Sequence, residues 1–429
     1  MPGTIILKNS NTPASVPTAA VLQVGEVAVN TADGLLYTKH TDSSIKTIGV
    51  VETGGSIKTK LGIITLSGIN TGDQTTITGN AGTATKLAAA VNINGVAFDG
   101  SAAITIATSA MSVKGLFRKD APSAVAFTAT GAFTVSAATN IYAEVNGSVI
   151  TFASGLAVVM PAAVVGTDYA IWAETAGTLT CTNNHVTPPT ANARKIGGFH
   201  YAPGGNAAAQ AGGNSTPAIN AYSIWDLKFR PACNDPRGMT LIAGNFWSDI
   251  YLLNTDADVN GTSKYNVTIA DGASPPKVPT KFGGNGTTAY TTLTWWEANE
   301  VLAANGKRSA SYQELAALAY GTTEASAIGT DQNVTILNAA YTSRWGVMQS
   351  TGVMAVWSKD FGGGAAAAGW AANTNGRGQT YQLSNAVFFG GSWIEGAVAG
   401  SRCSGWYYSP TTSNGNISGR GVCDHLLLD

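Results

Sequence analysis

Alternating apolar and polar residues mark short strands along most of the chain, in stretches of different texture. Glu26-Val-Ala-Val-Asn30, a turn at Asp33-Gly34 and Leu35-Leu-Tyr-Thr-Lys39 predict paired strands within residues 1–50. Two short strands bury too little apolar surface to stand alone, so this module is expected to be stabilised by copies from other chains. From about 51 to 110 aromatics become scarce and Thr, Gly and Asn dominate, as in Gly72-Asp-Gln-Thr-Thr-Ile-Thr-Gly-Asn-Ala-Gly82 and Asn92-Ile-Asn-Gly-Val-Ala-Phe-Asp-Gly100. Such a segment makes little core as a monomer. Over 111–205 the alternation is cleaner. Ile141-Tyr-Ala-Glu-Val145 and Ser148-Val-Ile-Thr-Phe152 flank Asn146-Gly147, a pair that tolerates the positive φ of a type I′ hairpin turn. This stretch reads as a small β-sandwich, bounded by a linker-like run low in large apolar side chains, Pro203-Gly-Gly-Asn-Ala-Ala-Ala-Gln-Ala-Gly-Gly-Asn214.

Residues 216–429 differ in kind, because most of the ten tryptophans fall after residue 220 and supply a large core. Two helices are predicted there, each opened by a capping box in which a hydroxyl and a Glu satisfy the helix start. Thr294 with Glu297 begins one that ends near Gly306, and Ser311 with Glu314 begins another that ends near Gly321. The expected architecture is multidomain: a mostly β N-terminal part followed by an α+β domain of short, irregular strands.

Only 11% of the 429 residues are charged and the net charge is -1, so no field exists to hold a polyanion; nucleic acid and anionic membranes are not expected partners. The N-terminus lacks a basic region followed by an apolar run, and no stretch approaches the length of a membrane span, so neither Sec export nor membrane insertion is expected. Cys181, Cys233, Cys403 and Cys423 show no CxxC spacing, which disfavours zinc. A Cys403–Cys423 bridge is conceivable, but buried thiols are the favoured reading for a chain made in a reducing cytoplasm.

The final stretch, from Phe389 to His425, interleaves rigid residues (Gly390, Gly391, Trp393, Arg402, Trp406, Pro410, Arg420) with positions of no common chemistry. That is the layout of a fixed scaffold displaying a changeable surface. Gly306-Lys-Arg-Ser-Ala-Ser-Tyr-Gln-Glu-Leu315, Trp345-Gly-Val347, Val356-Trp-Ser-Lys-Asp360, Gly390-Gly-Ser-Trp393 and Arg420-Gly-Val422 resemble the C-type-lectin fold in its formylglycine-generating-enzyme-like branch. Ala193-Arg-Lys-Ile-Gly-Gly-Phe-His-Tyr-Ala-Pro203, Trp225-Asp-Leu-Lys-Phe-Arg-Pro231, Asp235-Pro-Arg-Gly-Met-Thr240, Gly261-Thr-Ser-Lys-Tyr-Asn-Val-Thr-Ile-Ala-Asp-Gly272 and Arg420-Gly-Val-Cys-Asp-His-Leu426 resemble the phage tropism-determinant family more closely. That family consists of receptor-binding tail-fibre tips diversified by a retroelement. The similarity spans roughly 111–429; residues 1–50 are similar to tail-fibre N-terminal modules, and 51–110 resemble an inserted fibre shaft.

The resemblance implies a homotrimer on the virion, at the distal end of a tail fibre, with a β-prism-like N-terminal module that also meets other fibre or baseplate proteins. A β-sandwich and a lectin-fold domain would follow, the latter binding a receptor, protein or glycan, on the host bacterial surface. The variable surface it implies is Ser392, Ile394, Glu395, Gly396, Val398, Gly405, Tyr407, Tyr408, Thr412, Asn414, Gly415 and Ile417, on a scaffold of Trp393, Arg402, Trp406 and Arg420. Gly and Ser offer little contact area, so Ile394, Glu395, Val398, Tyr407, Tyr408 and Ile417 are expected to dominate affinity.

Competing chemistry is weaker. Asp256-Ala-Asp-Val-Asn-Gly261 opens like a calcium loop, but Val267 stands where the closing bidentate Glu belongs, so a polar loop is favoured and no metal or other cofactor is expected. The lectin-fold branch raises an oxidase alternative, yet Cys403 and Cys423 sit singly in framework. His200, Asp424 and His425 have neither ligand nor nucleophile spacing, and no carboxylate pair stands out for glycoside cleavage. A purely structural fibre would not need so elaborate a C-terminal domain. The reading is therefore a binding protein and not an enzyme.

Overall fold

The computed structural model describes residues 6–48, 87, 89–93, 96–104, 113–365, 370–372, 379–381 and 384–428. Within Met1–Ile93 and Ala97–Ile104, which form one compact unit, the expected hairpin is present as Val27–Asn30 against Leu35–Lys39. Gly34 supplies the positive φ of its turn, at 68°. Lys8–Ser10 adds in parallel on one side and Ile45–Ile48 antiparallel on the other, giving four strands. The Asn30 amide fixes the preceding loop, donating to the Thr12 and Ser15 carbonyls at 3.0 Å each. Leu22, Ala28 and Tyr37 are the buried apolar residues described here, whereas Ile6, Val16, Val21, Val24 and Ile48 face out. The Gly72–Gly82 stretch and most of 51–110 lie outside the described residues; Val91–Ile93 and Val96–Phe98 are short strands.

The second unit comprises Asn94–Val96 and Thr105–Asp429. Its first part contains the Asn-Gly hairpin, with Val145 opposite Ser148 and φ of 51° at Asn146 and 80° at Gly147. Ile141–Val145 also pairs with Phe117–Lys119. A larger sheet is built on Thr167–Ala173 and Arg194–Ala202, and Phe117, Phe127, Val135, Ile141, Phe152, Ile171, Ile196 and Phe199 meet in one core.

The Pro203–Asn214 run is not the free linker its composition predicts. Ala207 N donates to Ser343 O at 3.1 Å, Gly212 N to Gly321 O at 2.9 Å and Gly213 N to Ala339 O at 2.8 Å. Its glycines permit this approach: a Cβ on Gly204 would lie 2.8 Å from Leu337. Trp225–Asp226 then pairs back onto Arg194–Ala202, and the Asp226 carboxylate, fully buried, takes the Lys119 ammonium at 2.8 Å. The run is thus packed structure joining neighbouring layers.

Both predicted helices form, Trp295–Ala304 and Tyr312–Leu318, each with its capping box complete. The last strand, Gly421–Leu427, lies inside a five-stranded sheet against Phe229–Pro231, Phe246–Asp249 and Arg308–Ser309, all far away in sequence.

Candidate functional site

The stretch singled out by sequence closes a four-stranded sheet in the order Ser404–Tyr408, Ser384–Phe389, Ala355–Ala365, Ile417–Ser418. Trp357, Ala386, Phe388 and Ile417 bury its inner face against Leu253, Leu293, Val301 and Leu302. At the end of the Ser384–Phe389 strand, Gly390 and Gly391 take φ of 92° and 73°, a region that L side chains avoid. A Cβ on Gly391 would also lie 2.7 Å from Ala399. This tight turn launches the loop that carries Ile394 to Val398.

The expected variable positions separate into three environments. Ile394, Val398 and Tyr407 are 59%, 71% and 62% exposed, and Gly396 is exposed beside them. Glu395, Tyr408, Thr412, Asn414 and Gly415 are half-buried. Ser392, Gly405 and Ile417 are buried, which corrects their expected place on the surface. Ser392 donates its backbone N–H to the Glu395 carboxylate at 2.5 Å, donates its hydroxyl to the same group, and accepts from Asn416 at 3.1 Å. Glu395 therefore caps its own loop and offers less to a ligand than its charge suggested. A Cβ on Gly405 would lie 2.0 Å from the Phe388 ring, and Ile417 belongs to the core.

Tyr407 and Tyr408 do not face opposite ways as adjacent strand residues do. Ala386 pairs with Tyr408 but Phe388 with Gly405, so the Ser404–Tyr408 strand carries one extra residue, a bulge. Both rings consequently meet Phe388, Tyr407 edge-on at 5.3 Å and Tyr408 stacked at 4.9 Å between centroids. They also touch each other at 4.4 Å. Tyr408 is the anchored member and Tyr407 the displayed one.

The scaffold residues differ as sharply. Arg420 is fully buried and its guanidinium donates to four carbonyls, those of Asp249, Ile250, Met348 and Gln349, at 2.7 to 3.1 Å. Burial pulls it down to about 10. Trp393 is half-buried, against the core that includes Val353 and Phe389. Arg402 is exposed, and its carbonyl accepts from the Tyr312 hydroxyl at 3.2 Å. Trp406, expected inside the framework, is 38% exposed. Its indole lies over Gly362, where a Cβ would come within 2.4 Å, and its Nε1 donates to Ser404 Oγ at 2.9 Å. The signal missed in the sequence is the Gly362-Gly-Gly364 run, which clears room for an aromatic from the next strand but one.

The alternative chemistries meet occupied groups. Lys277 pairs with Asp256 at 2.5 Å and Asp258 accepts the Thr280 N–H at 2.8 Å, so the calcium-like loop is internally satisfied. Among the described residues no cluster of three or more His, Cys, Asp or Glu is arranged to hold a metal. The four cysteines are free, and Cys403 and Cys423 are not bridged. Burial pushes the Cys181 thiol up to about 12 and raises Cys403 as well. His200 lies between Asp168 at 2.9 Å and the Tyr251 hydroxyl at 3.0 Å, His425 accepts from Trp247 at 2.9 Å, and Asp424 pairs with Arg308 at 3.1 Å.

Residues 125–226 match the family model for the Mtd second domain. Over 329 residues the chain is 50% identical to the tail fiber receptor-binding protein of Bordetella phage BPP-1, covering 74% of this chain and 86% of that protein. Solved structures of the Major Tropism Determinant P3c and I1 variants superimpose with a TM-score of 0.74 at 39% and 40% identity, covering 99% of this chain and all of theirs. The chain belongs to the tropism-determinant family of phage tail-fibre receptor-binding proteins.

Proposed function

We propose that the receptor-binding role of this phage tail-fibre protein is performed by the exposed face formed by Ile394, Gly396, Val398, Trp406 and Tyr407. The observation that carries this reading is the contrast within one short stretch: large apolar side chains stand in solvent beside a clasp, Arg420, that is wholly buried. Exposed aromatics are costly to leave in water and supply most binding energy when covered. Half-buried Tyr408, Thr412, Asn414 and Gly415 border the face; Ser392, Gly405 and Ile417 act from beneath it.

The exposed positions are those whose side chains can change without disturbing the core, which suits diversification by a retroelement. A near-copy of the Phe389–Leu428 coding segment beside a reverse transcriptase gene would support that part of the reading; its absence would make this a static binder. The chain would act as a trimer at the distal end of the fibre; assembly is supported by the poorly covered N-terminal unit, whose exposed Ile6, Val16, Val21, Val24 and Ile48 would be sheltered between copies. Linked sites then gain roughly 10²–10⁴ in avidity without new contacts. No covalent chemistry is part of this reading, since the carboxylates and imidazoles described above serve internal contacts. Purified protein added to host cells should block adsorption of the phage that carries it, and undiminished adsorption at saturating protein would overturn the proposal.

A further inference from the structure

Away from this face, the strands Phe229–Pro231 and Gly421–Leu427 run antiparallel with Pro231 opposite His425. A hydrogen bond from Ala232 N to Asp424 O, 2.9 Å, carries the pairing one residue further. The strand ends at Pro231; continued by two residues, its register would bring Cys233 opposite Cys423, at a non-hydrogen-bonded position, where Cα atoms of an antiparallel pair stand about 4.5 Å apart and side chains are closest. Both cysteines are buried and belong to one small cluster with Trp225, Met239, Leu241 and Trp247. Both also reach the same sulfur, Met239 Sδ, at 3.4 Å from Cys233 and 3.9 Å from Cys423. A disulfide spans Cα separations of about 4.4–6.8 Å, a range that includes the spacing of such a pair.

We propose that Cys233 and Cys423 are a disulfide-forming pair, reduced where the chain is made and oxidised outside the cell, so that a covalent latch closes on the C-terminal strand. The oxidant is a small organic disulfide. The Cys423 thiolate attacks one of its sulfurs and releases one small thiolate; Cys233 then attacks the Cys423 sulfur of the mixed disulfide and releases the second. The two cysteine protons end on the two released thiols, and two electrons pass to the small disulfide. Cys423 is written as the attacking group because its neighbour Cys233, aided by the Lys307 ammonium, holds it below the usual thiol range, while Cys423 and burial raise Cys233. Access comes through residues 232–237, which form no helix or strand.

The latch would tie the last strand of the chain to the start of its sheet, closing most of the C-terminal domain into one loop and restricting the unfolded chain. It stands independently of the receptor reading. To test it, the full-length protein is equilibrated with oxidised or reduced glutathione, denatured, alkylated and mapped by mass spectrometry, and melted in parallel. The expected result is a Cys233–Cys423 peptide, Cys181 and Cys403 still alkylated, and a melting temperature at least about 5 °C higher when oxidised. Cys233→Ala should abolish both the bridge and the redox-dependent shift. Four alkylated cysteines after oxidation, a bridge through Cys181 or Cys403, or a bridged protein melting no higher than the reduced one would overturn the proposal.

Discussion

Arg420 illustrates how strongly single residues here are committed. Four carbonyls surround its guanidinium, and Arg420→Met would leave them buried without donors, at roughly 1–3 kcal/mol each before relaxation. Thermal melts should show the domain severely destabilised, and a near-native melting temperature would refute the clasp. The two tyrosines should separate. Tyr407→Ala is expected to lower receptor affinity about 30-fold, corresponding to ~2 kcal/mol at an interface hot spot, with the melting temperature unchanged. Tyr408→Ala should lower both, because its ring stacks on Phe388. Equal effects of the two substitutions on stability would contradict the bulge. Sequence carried the local chemistry well: Asn146-Gly147 and both capping boxes are set by residues adjacent in the chain. It could not place Gly405, Ile417 or Trp406, because their exposure depends on strand register and on Phe388 and Gly362, partners distant in sequence.

Among the elements, hairpins and helices were legible because their signals are contiguous, whereas the central place of Gly421–Leu427 was not, its partners being distant. The Pro203–Asn214 run misled because small residues mark close packing as well as looseness. The Tyr312–Leu318 helix offers a pH test. Burial pushes the Glu314 carboxyl up, but Arg308 and the Ser311 N–H outweigh it and hold it below its ordinary range. A carboxylate lowered on folding stabilises fully above its unfolded pKa of about 4.3 and loses that contribution as pH falls through the folded value. The melting-temperature gap between wild type and Glu314→Gln should therefore be constant near pH 7 and close in acid; a gap unchanged at pH 3 would show that the charge is not what matters.

At the scale of the whole molecule, a packed interior carries one displayed face, and the proposed assembly would run through the N-terminal unit. Light scattering at micromolar concentration should give a trimer, and Val21→Lys with Val24→Lys should weaken it if the N-terminal unit is the contact. Receptor binding should persist in EDTA, since Asp256 and Asp258 already have protein partners. The most direct measurement replaces Ile394, Val398 and Tyr407 together with Ala and reads binding of the labelled full-length protein to host cells alongside its melting curve. Binding should be lost while the melting temperature stays within about a degree of wild type. Unchanged binding by the folded triple variant would contradict the claim that this face meets the receptor.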